Sequence, residues 1–310
     1  YTYDSMGQLI QSQDNTGSSM TYTYDVAGRL LKTEDALGQT TEYTYDDRDN
    51  ITSVKNTDGT TTYYTYDIMG NVLTAKDPEG KVTTYTYDAN GNLLTQEDDA
   101  HRVWSYTYDA VGRLTKDTNP LSESNIYVYN ELDQLTSVTN AASGQKKYTY
   151  DLMGNMLTET DENGNTTTYT YDALSRLIST TAADGGVQEF LYDADGQLIK
   201  SKDALGNVTQ YEYDPVGNLS KLTTPNNGEY TYEYNADNYQ TGETDPLDNK
   251  TTNAYDLAGR LTGKTLANGA QYTYTYDAIG RLTQQTAPEG LSSTYAYDAA
   301  GNLQSETDQS

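Results

Sequence analysis

Only one histidine, His101, stands among 46 Asp and Glu, 19 Lys and Arg, and no cysteine. A Ser-His-Asp site would have to rest on that imidazole alone, and no nucleophile-elbow sequence surrounds it. His101 falls where most neighbouring segments carry glycine in a turn, so its expected task is to hold a left-handed backbone. The carboxylates invite a metal or paired-carboxylate reading. Asp161-Glu162-Asn163-Gly164-Asn165 has the head of a calcium loop, but Thr and Tyr stand where its later Glu ligand is needed. Turn chemistry accounts for these residues, with weak Ca²⁺ binding at a turn as the alternative. The missing cysteines exclude disulfides and thiolate metal sites. The sequence therefore predicts no catalytic residue, no metal site and no cofactor.

The acidic residues are periodic. Every twenty-one residues the chain returns to the same acidic slot: Asp4, Asp25, Asp46, Asp67, Asp88, Asp109, Asn130, Asp151, Asp172, Asp193, Asp214, Asn235, Asp256, Asp277 and Asp298. The residue before each is tyrosine in all fifteen copies. A fixed period of this size means one small supersecondary unit stacked many times. The question shifts from where an active site lies to what is built by repetition.

One repeat shows what positions these residues. Tyr22-Thr23-Tyr24 alternates with period two in β-favouring residues and reads as a strand. Asp25-Val26-Ala27-Gly28 has Asp first and Gly fourth, as a type I turn prefers, and the Gly slot needs positive φ. That slot holds Gly eleven times; Asp49, Asp133 and Asn238 tolerate the left-handed region, and Ser175 is out of character. A three-residue loop with a bulge is expected. The returning strand starts at Leu30, whose slot is aliphatic in fourteen of fifteen copies, Gln240 being the exception. If Asp25 pairs with Arg29, Tyr24 faces Leu30 and Tyr22 faces Lys32. A second turn, Asp35-Ala36-Leu37-Gly38, mirrors the first. The same ladder recurs at Tyr43, Tyr45 and Asp46, at Tyr85, Tyr87, Asp88, Gly91 and Leu93, and at Tyr106, Tyr108, Asp109, Gly112 and Leu114. It returns at Tyr274, Tyr276, Asp277, Gly280 and Leu282.

The expected fold is all-β: 21-residue β-hairpin repeats in one antiparallel meander of about thirty strands, without helix, coiled into a spiral tube or shell wall because sheet twist accumulates. A single repeat buries too little to stand alone, so backbone pairing and stacking of equivalent tyrosines must make stability cooperative. Residues 1–310 are expected to be one continuous array, an excerpt of a larger chain. Its open strand edges predict end-to-end association with further copies.

Composition narrows the partners. A formal charge of −27 repels nucleic acid and anionic lipid. No apolar run is long enough for a membrane-spanning helix. Thirty-two tyrosines beside one Phe and one Trp suit a wall that is wet on at least one side. Trp104, Tyr230 and Tyr272 lie two residues before a ladder tyrosine and extend its face; stacking within the wall is one reading, and glycan binding by Tyr and Asn rows the other. The degenerate stretches Asn130-Glu131-Leu132-Asp133 and Asn235-Ala236-Asp237-Asn238-Tyr239, with Asn253 in place of the first tyrosine, read as drift. A change of curvature or an interaction site there is the competing hypothesis.

Tyr106 to Leu114 and Tyr274 to Leu282 both spell Tyr-x-Tyr-Asp-x-x-Gly-Arg-Leu. With the second turn, this closely resembles the RHS/YD-repeat family, which includes bacterial toxins, insecticidal toxin-complex cocoon proteins, wall-associated proteins and teneurins. The resemblance covers the whole chain. It implies a secreted or cell-surface, non-enzymatic scaffold whose repeats coil into a hollow β-shell, in the bacterial toxins around an effector. Two departures stand out: the Arg slot is often Asn or Gln (Asn71, Asn92, Gln8), and the family's autoproteolytic C-terminal core is not recognisable. The alternative use of the same repeats is an extracellular fibre or adhesin.

Overall fold

The computed structural model describes residues 1–14, 17–298 and 301–309. Thirty strands form one antiparallel meander. They begin with β1 (Thr2–Tyr3), β2 (Leu9–Gln13), β3 (Ser19–Tyr24), β4 (Leu30–Asp35), β5 (Thr40–Tyr45) and β6 (Ile51–Lys55), and the alternation continues to Leu303–Gln309. Strands entering the acidic turn end on the invariant tyrosine, and strands leaving it start on the aliphatic slot. The one helical assignment among the described residues is a single 3₁₀ turn at Pro288–Gly290, in which Glu289 has φ 66°.

Both turns of a repeat have the same backbone geometry. At the first, the Asp25 N–H donates to the Arg29 carbonyl at 2.9 Å and the Gly28 N–H to the Asp25 carbonyl at 3.0 Å; at the second, Asp35 with Gln39 and Gly38 with Asp35 do the same at 3.0 Å. Gly28 has φ 88° and Gly38 φ 77°. The residues standing in for glycine adopt the same region, Ser175 at φ 60° and His101 at φ 58° included. The expected loop and its bulged closing residue are therefore present at both edges.

One pairing differs from expectation. Tyr24 does face Leu30, but the register then slips, so Thr23 faces Lys32 and Tyr22 faces Thr33. Leu31 is a bulge residue with no partner opposite it. The same slip follows the aliphatic slot in other repeats, for example between Leu93 and Thr95. An extra residue inverts the inward–outward phase of the remaining strand. It moves Lys32 away from the tyrosine face to stand opposite Glu42.

The sheet is one layer thick. Along β3, Thr21 and Thr23 are exposed while Tyr22 and Tyr24 are half-buried. Among the described residues no hydrophobic side chain is buried; Ser137 and Gly242 are the buried positions. Without a second layer, stability must come from bonds in the plane of the sheet.

The chain forms two compact units, one joining Tyr1–Val82 with Thr231–Ser310 and one made of Thr83–Tyr230. In the second, hairpin follows hairpin in sequence order. In the first, the early and late repeats meet. A cleft of about 620 Å³ is lined by Tyr1, Leu9, Met20, Tyr22 and Asp35 on one side and Ile279 on the other. Asp298 is close enough to Asp58 for the two carboxylates to repel.

Candidate functional site

The repeated feature that can act is the first-turn edge with its tyrosine ladder. The turn is built by its own aspartate: Asp25 Oδ1 accepts the N–H groups of Ala27 and Arg29, both at 2.9 Å. These bonds favour the ionised form, which accepts them more strongly. The backbone N–H of Arg29, the guanidinium and the Ala27 N–H hold the Asp25 carboxyl below its ordinary value against some desolvation. In Asp46 the Asn50 side chain is the main cause of the same depression.

Arginine at the fifth position does more than close its own turn. Arg29 Nε donates to Asp25 Oδ2 at 2.7 Å, and Nη1 reaches the next hairpin, donating to the Asp46 carbonyl at 3.0 Å and to Asp49 Oδ1 at 2.9 Å. Its guanidinium carbon lies 4.9 Å from the ring centre of Tyr45, within cation–π range. Arg113, Arg176, Arg260 and Arg281 sit over Tyr129, Tyr192, Tyr276 and Tyr297 in the same way, at 4.6–5.0 Å. Where the slot is asparagine, the amide reaches its own aspartate, as Asn71 Nδ2 does to Asp67 Oδ2 at 2.9 Å.

The tyrosine ladder works through its hydroxyls. Tyr45 donates to the Leu30 carbonyl of the preceding hairpin at 2.7 Å, and Tyr66 does so to Ile51 at 2.7 Å. Tyr24, Tyr150, Tyr171, Tyr192, Tyr213, Tyr255, Tyr276 and Tyr297 repeat the bond to the residue fifteen positions back, at 2.8–3.0 Å. The acceptor lies next to the bulge. A phenylalanine could not make this link, which explains why the slot is always tyrosine. Partial burial raises the phenols of Tyr45, Tyr66 and Tyr108 above their usual range. Expected ring-on-ring stacking of equivalent tyrosines is replaced by these bonds. Equivalent rings lie two strands apart, about 10 Å, and stacking needs about 4.5–7 Å.

Other sequence candidates fall into place individually. His101 Nδ1 lies 2.5 Å from Glu97 Oε1, and this bond raises the imidazole's pKa. Asp161 accepts from the N–H groups of Asn163 and Asn165 and from the Asn165 amide, at 2.8–2.9 Å, so its oxygens serve the turn. Among the described residues no three His, Cys, Asp or Glu side chains are grouped to hold a metal. Trp104, Tyr230 and Tyr272 are half-buried on the tyrosine face. Asn130 makes the same turn bonds as its aspartate counterparts, at 2.9 and 3.0 Å. The second degenerate repeat does differ: Tyr239 occupies the arginine slot and stacks on Tyr255 at 5.2 Å and 27°. Asn253, where a tyrosine is usual, donates to the Gln240 carbonyl at 3.1 Å.

Sequence reasoning missed the arginine brace. The available signal was the recurrence of Arg sixteen residues before a tyrosine, as in Arg29 and Tyr45. Tyr127 was also missed; its hydroxyl donates to Asp117 Oδ1 at 2.6 Å, and with burial this pushes its pKa up to about 12.

These features define a repeat protein of laterally stapled β-hairpins. A teneurin YD-shell family model matches residues 1–121, and an RHS-repeat model matches 129–166, 156–187, 192–229, 213–250, 255–291 and 276–309. The chain belongs to the RHS/YD-repeat family. Its fold is similar to that of a TcdB2–TccC3 crystal structure (TM-score 0.57, 18% identity, 100% of this chain and 24% of that one). A TcdB2–TccC3–Cdc42 structure gives 0.58 and 18% over 99% and 23%, and a Photorhabdus luminescens Tc holotoxin pore 0.57 and 18% over the same shares. The chain thus spans about a quarter of the solved chains it resembles. No curated protein sequence matches it. No helix among the described residues is long and apolar enough to cross a membrane.

Proposed function

We propose that the chain is a non-enzymatic segment of the wall of a secreted or cell-surface β-shell, of the kind that encloses a toxin effector. The observation that carries this reading is the tyrosine hydroxyl bond to the preceding hairpin, repeated at one period and supported by the match to shell-forming families. Its residues spend their polar groups on each other. Tyr22, Tyr24, Asp25, Gly28 and Leu30, with their counterparts in other repeats, are the proposed structural ladder. Residues 1–310 act as one continuous array within a larger chain. The partners are the neighbouring repeats and an enclosed effector.

The unbroken 21-residue register favours a second reading, an extracellular fibre or adhesin that binds glycans, because identical steps give constant curvature. Cryo-electron microscopy of the full-length protein separates the two. Closed capsules with interior density are expected; long tubes of constant width would overturn the shell and establish the fibre.

A further inference from the structure

The first turn carries apolar residues at its tip, where a solvated turn has no need of them. Val26, Ile68, Met69, Leu152, Met153 and Val216 are 60–104% exposed. They stand at the second and third positions of four of the first turns, and within Thr83–Tyr230 the exposed Val111, Leu132 and Leu174 join Leu152 and Met153, so that four consecutive first turns there carry an apolar tip. Polar residues normally occupy such tips, and a row of exposed apolar ones marks an interaction surface.

Within the unit formed by the early and late repeats, the chain itself shows what covers this edge. Ile279 occupies the same turn position as Met69 and Met153 but is half-buried. It lines the cleft formed by Asp14, Ser18, Met20 and Asp35 at the second-turn edge of the first two repeats. The adjoining turn at Asp298 lies beside Asp58, another second-turn residue. On the receiving side Leu37 is 45% exposed, whereas Leu121, Leu205 and Leu247 at the same position are 77–88% exposed. A first-turn edge therefore seats on a second-turn edge.

We propose that the uncovered first-turn edge is a self-association surface whose partner is the second-turn edge of another copy of this chain. Copies stack coil against coil, edge to edge, and not only through the open strands at the ends. This goes beyond the shell or fibre reading and holds under either. Both edges are acidic, so repulsion opposes the contact, while the entering tip residue, Ile279 in the seated turn, is apolar and meets Leu9 and Met20 among polar neighbours. Association of this kind strengthens with salt, whereas association through ion pairs weakens.

Sedimentation velocity of the 310-residue chain tests the proposal over a concentration series. Raising NaCl from about 0.05 M to about 1 M, where the screening length falls to ~3 Å, is expected to tighten self-association about tenfold. The paired variants Ile68→Asp/Met69→Asp and Leu152→Asp/Met153→Asp change exposed tips only, and combining them is expected to weaken it about a hundredfold. Circular dichroism confirms that the fold is kept. If the double-pair variant loses its fold, Val26→Asp with Val216→Asp takes its place. Tyr3→Pro is the control: the Asp4 N–H points at β2, so by alternation the Tyr3 N–H faces the open β1 edge and proline removes it. A chain that stays monomeric throughout, or whose association is abolished by Tyr3→Pro and untouched by the tip variants, overturns the proposal. Neither result alters the case for the hairpin ladder.

Discussion

The two edges of the ribbon use the same turn for different ends. At both, a left-handed residue closes the loop, and where the first residue is Asp or Asn its side chain caps backbone N–H groups of the turn. At the first-turn edge, arginine and tyrosine then reach across to the adjoining hairpin. At the second, bonding stays mostly within the turn: Arg102 Nε meets Asp98 at 2.6 Å, and Asn207 meets Asp203 at 2.8 Å. The difference teaches that a turn sequence is fixed by what its neighbours need from it. Asp or Asn fills the acidic slot of every first turn, while second turns also start with Ala182, Thr224, Leu266 or Ala287.

Acid should act on the two edges unequally, and this is the largest expected effect. Ten first-turn aspartates are held below the ordinary value of 3.8: Asp25, Asp46, Asp67, Asp88, Asp109, Asp151, Asp172, Asp214, Asp256 and Asp277. Four second-turn capping aspartates are: Asp98, Asp161, Asp203 and Asp245. A carboxyl whose pKa is lower in the folded state stabilises above its unfolded value and loses that contribution as pH falls through the folded one. The melting temperature should hold from pH 7 down to about pH 5 and then drop steeply below about pH 4. Melts in about 1 M salt remove relief of the net charge as a confounding gain. A flat profile down to pH 2 would show that the capping carboxylates contribute nothing to stability.

Glycine substitutions give the next contrast. A Cβ at Gly259 would lie inside the Tyr239 side chain, whereas at Gly38 nothing lies within 4 Å. Both residues have positive φ, 79° and 77°. Gly38→Ala should cost only the left-handed penalty of about 1–2 kcal/mol. Gly259→Ala should add the loss of the Tyr239–Tyr255 stack, about 0.5–1.5 kcal/mol more. Denaturant titration measures both, and equal costs would mean the stack contributes nothing.

The arginine brace predicts a smaller gap. Arg29→Asn should keep the turn and lose the reach to Asp46, Asp49 and Tyr45, costing about 1–2 kcal/mol. Arg102→Asn, at the second edge, should cost about 0.5 kcal/mol or less, since its ion pair is exposed. Tyr45→Phe removes one hydroxyl bond and should cost about 1 kcal/mol by the same titration. The smallest change is Asp35→Asn, a swap that the chain already makes at Asn56, Asn119 and Asn140; a few tenths of a kcal/mol are expected.

Much of this was legible before any coordinates. The fifteenfold slot gave the hairpin, its two turns and its positive-φ positions, because a turn is decided by residues four apart whose backbone preferences are intrinsic. Even His101 could be placed, since its neighbours in register name the conformation it must adopt; Ser175, out of character by residue type, adopts the same left-handed region at φ 60°. The bulge at Leu31 was not legible: it carries no residue preference strong enough to mark it, and it shifted Thr33, not Lys32, opposite Tyr22. The tyrosine's role was half visible. Its invariance showed in the sequence, but the bonding partner lies fifteen residues back, next to that same bulge.

The sequence alone therefore determined the local unit, the number of copies and the absence of drift in period, all consequences of short-range backbone energetics. Only the tertiary structure decided how units are joined. Twist and stagger set which carbonyl a phenol meets, which ring a guanidinium covers, and which edge receives Ile279. Those distances are fixed by many residues at once, so no single repeat encodes them.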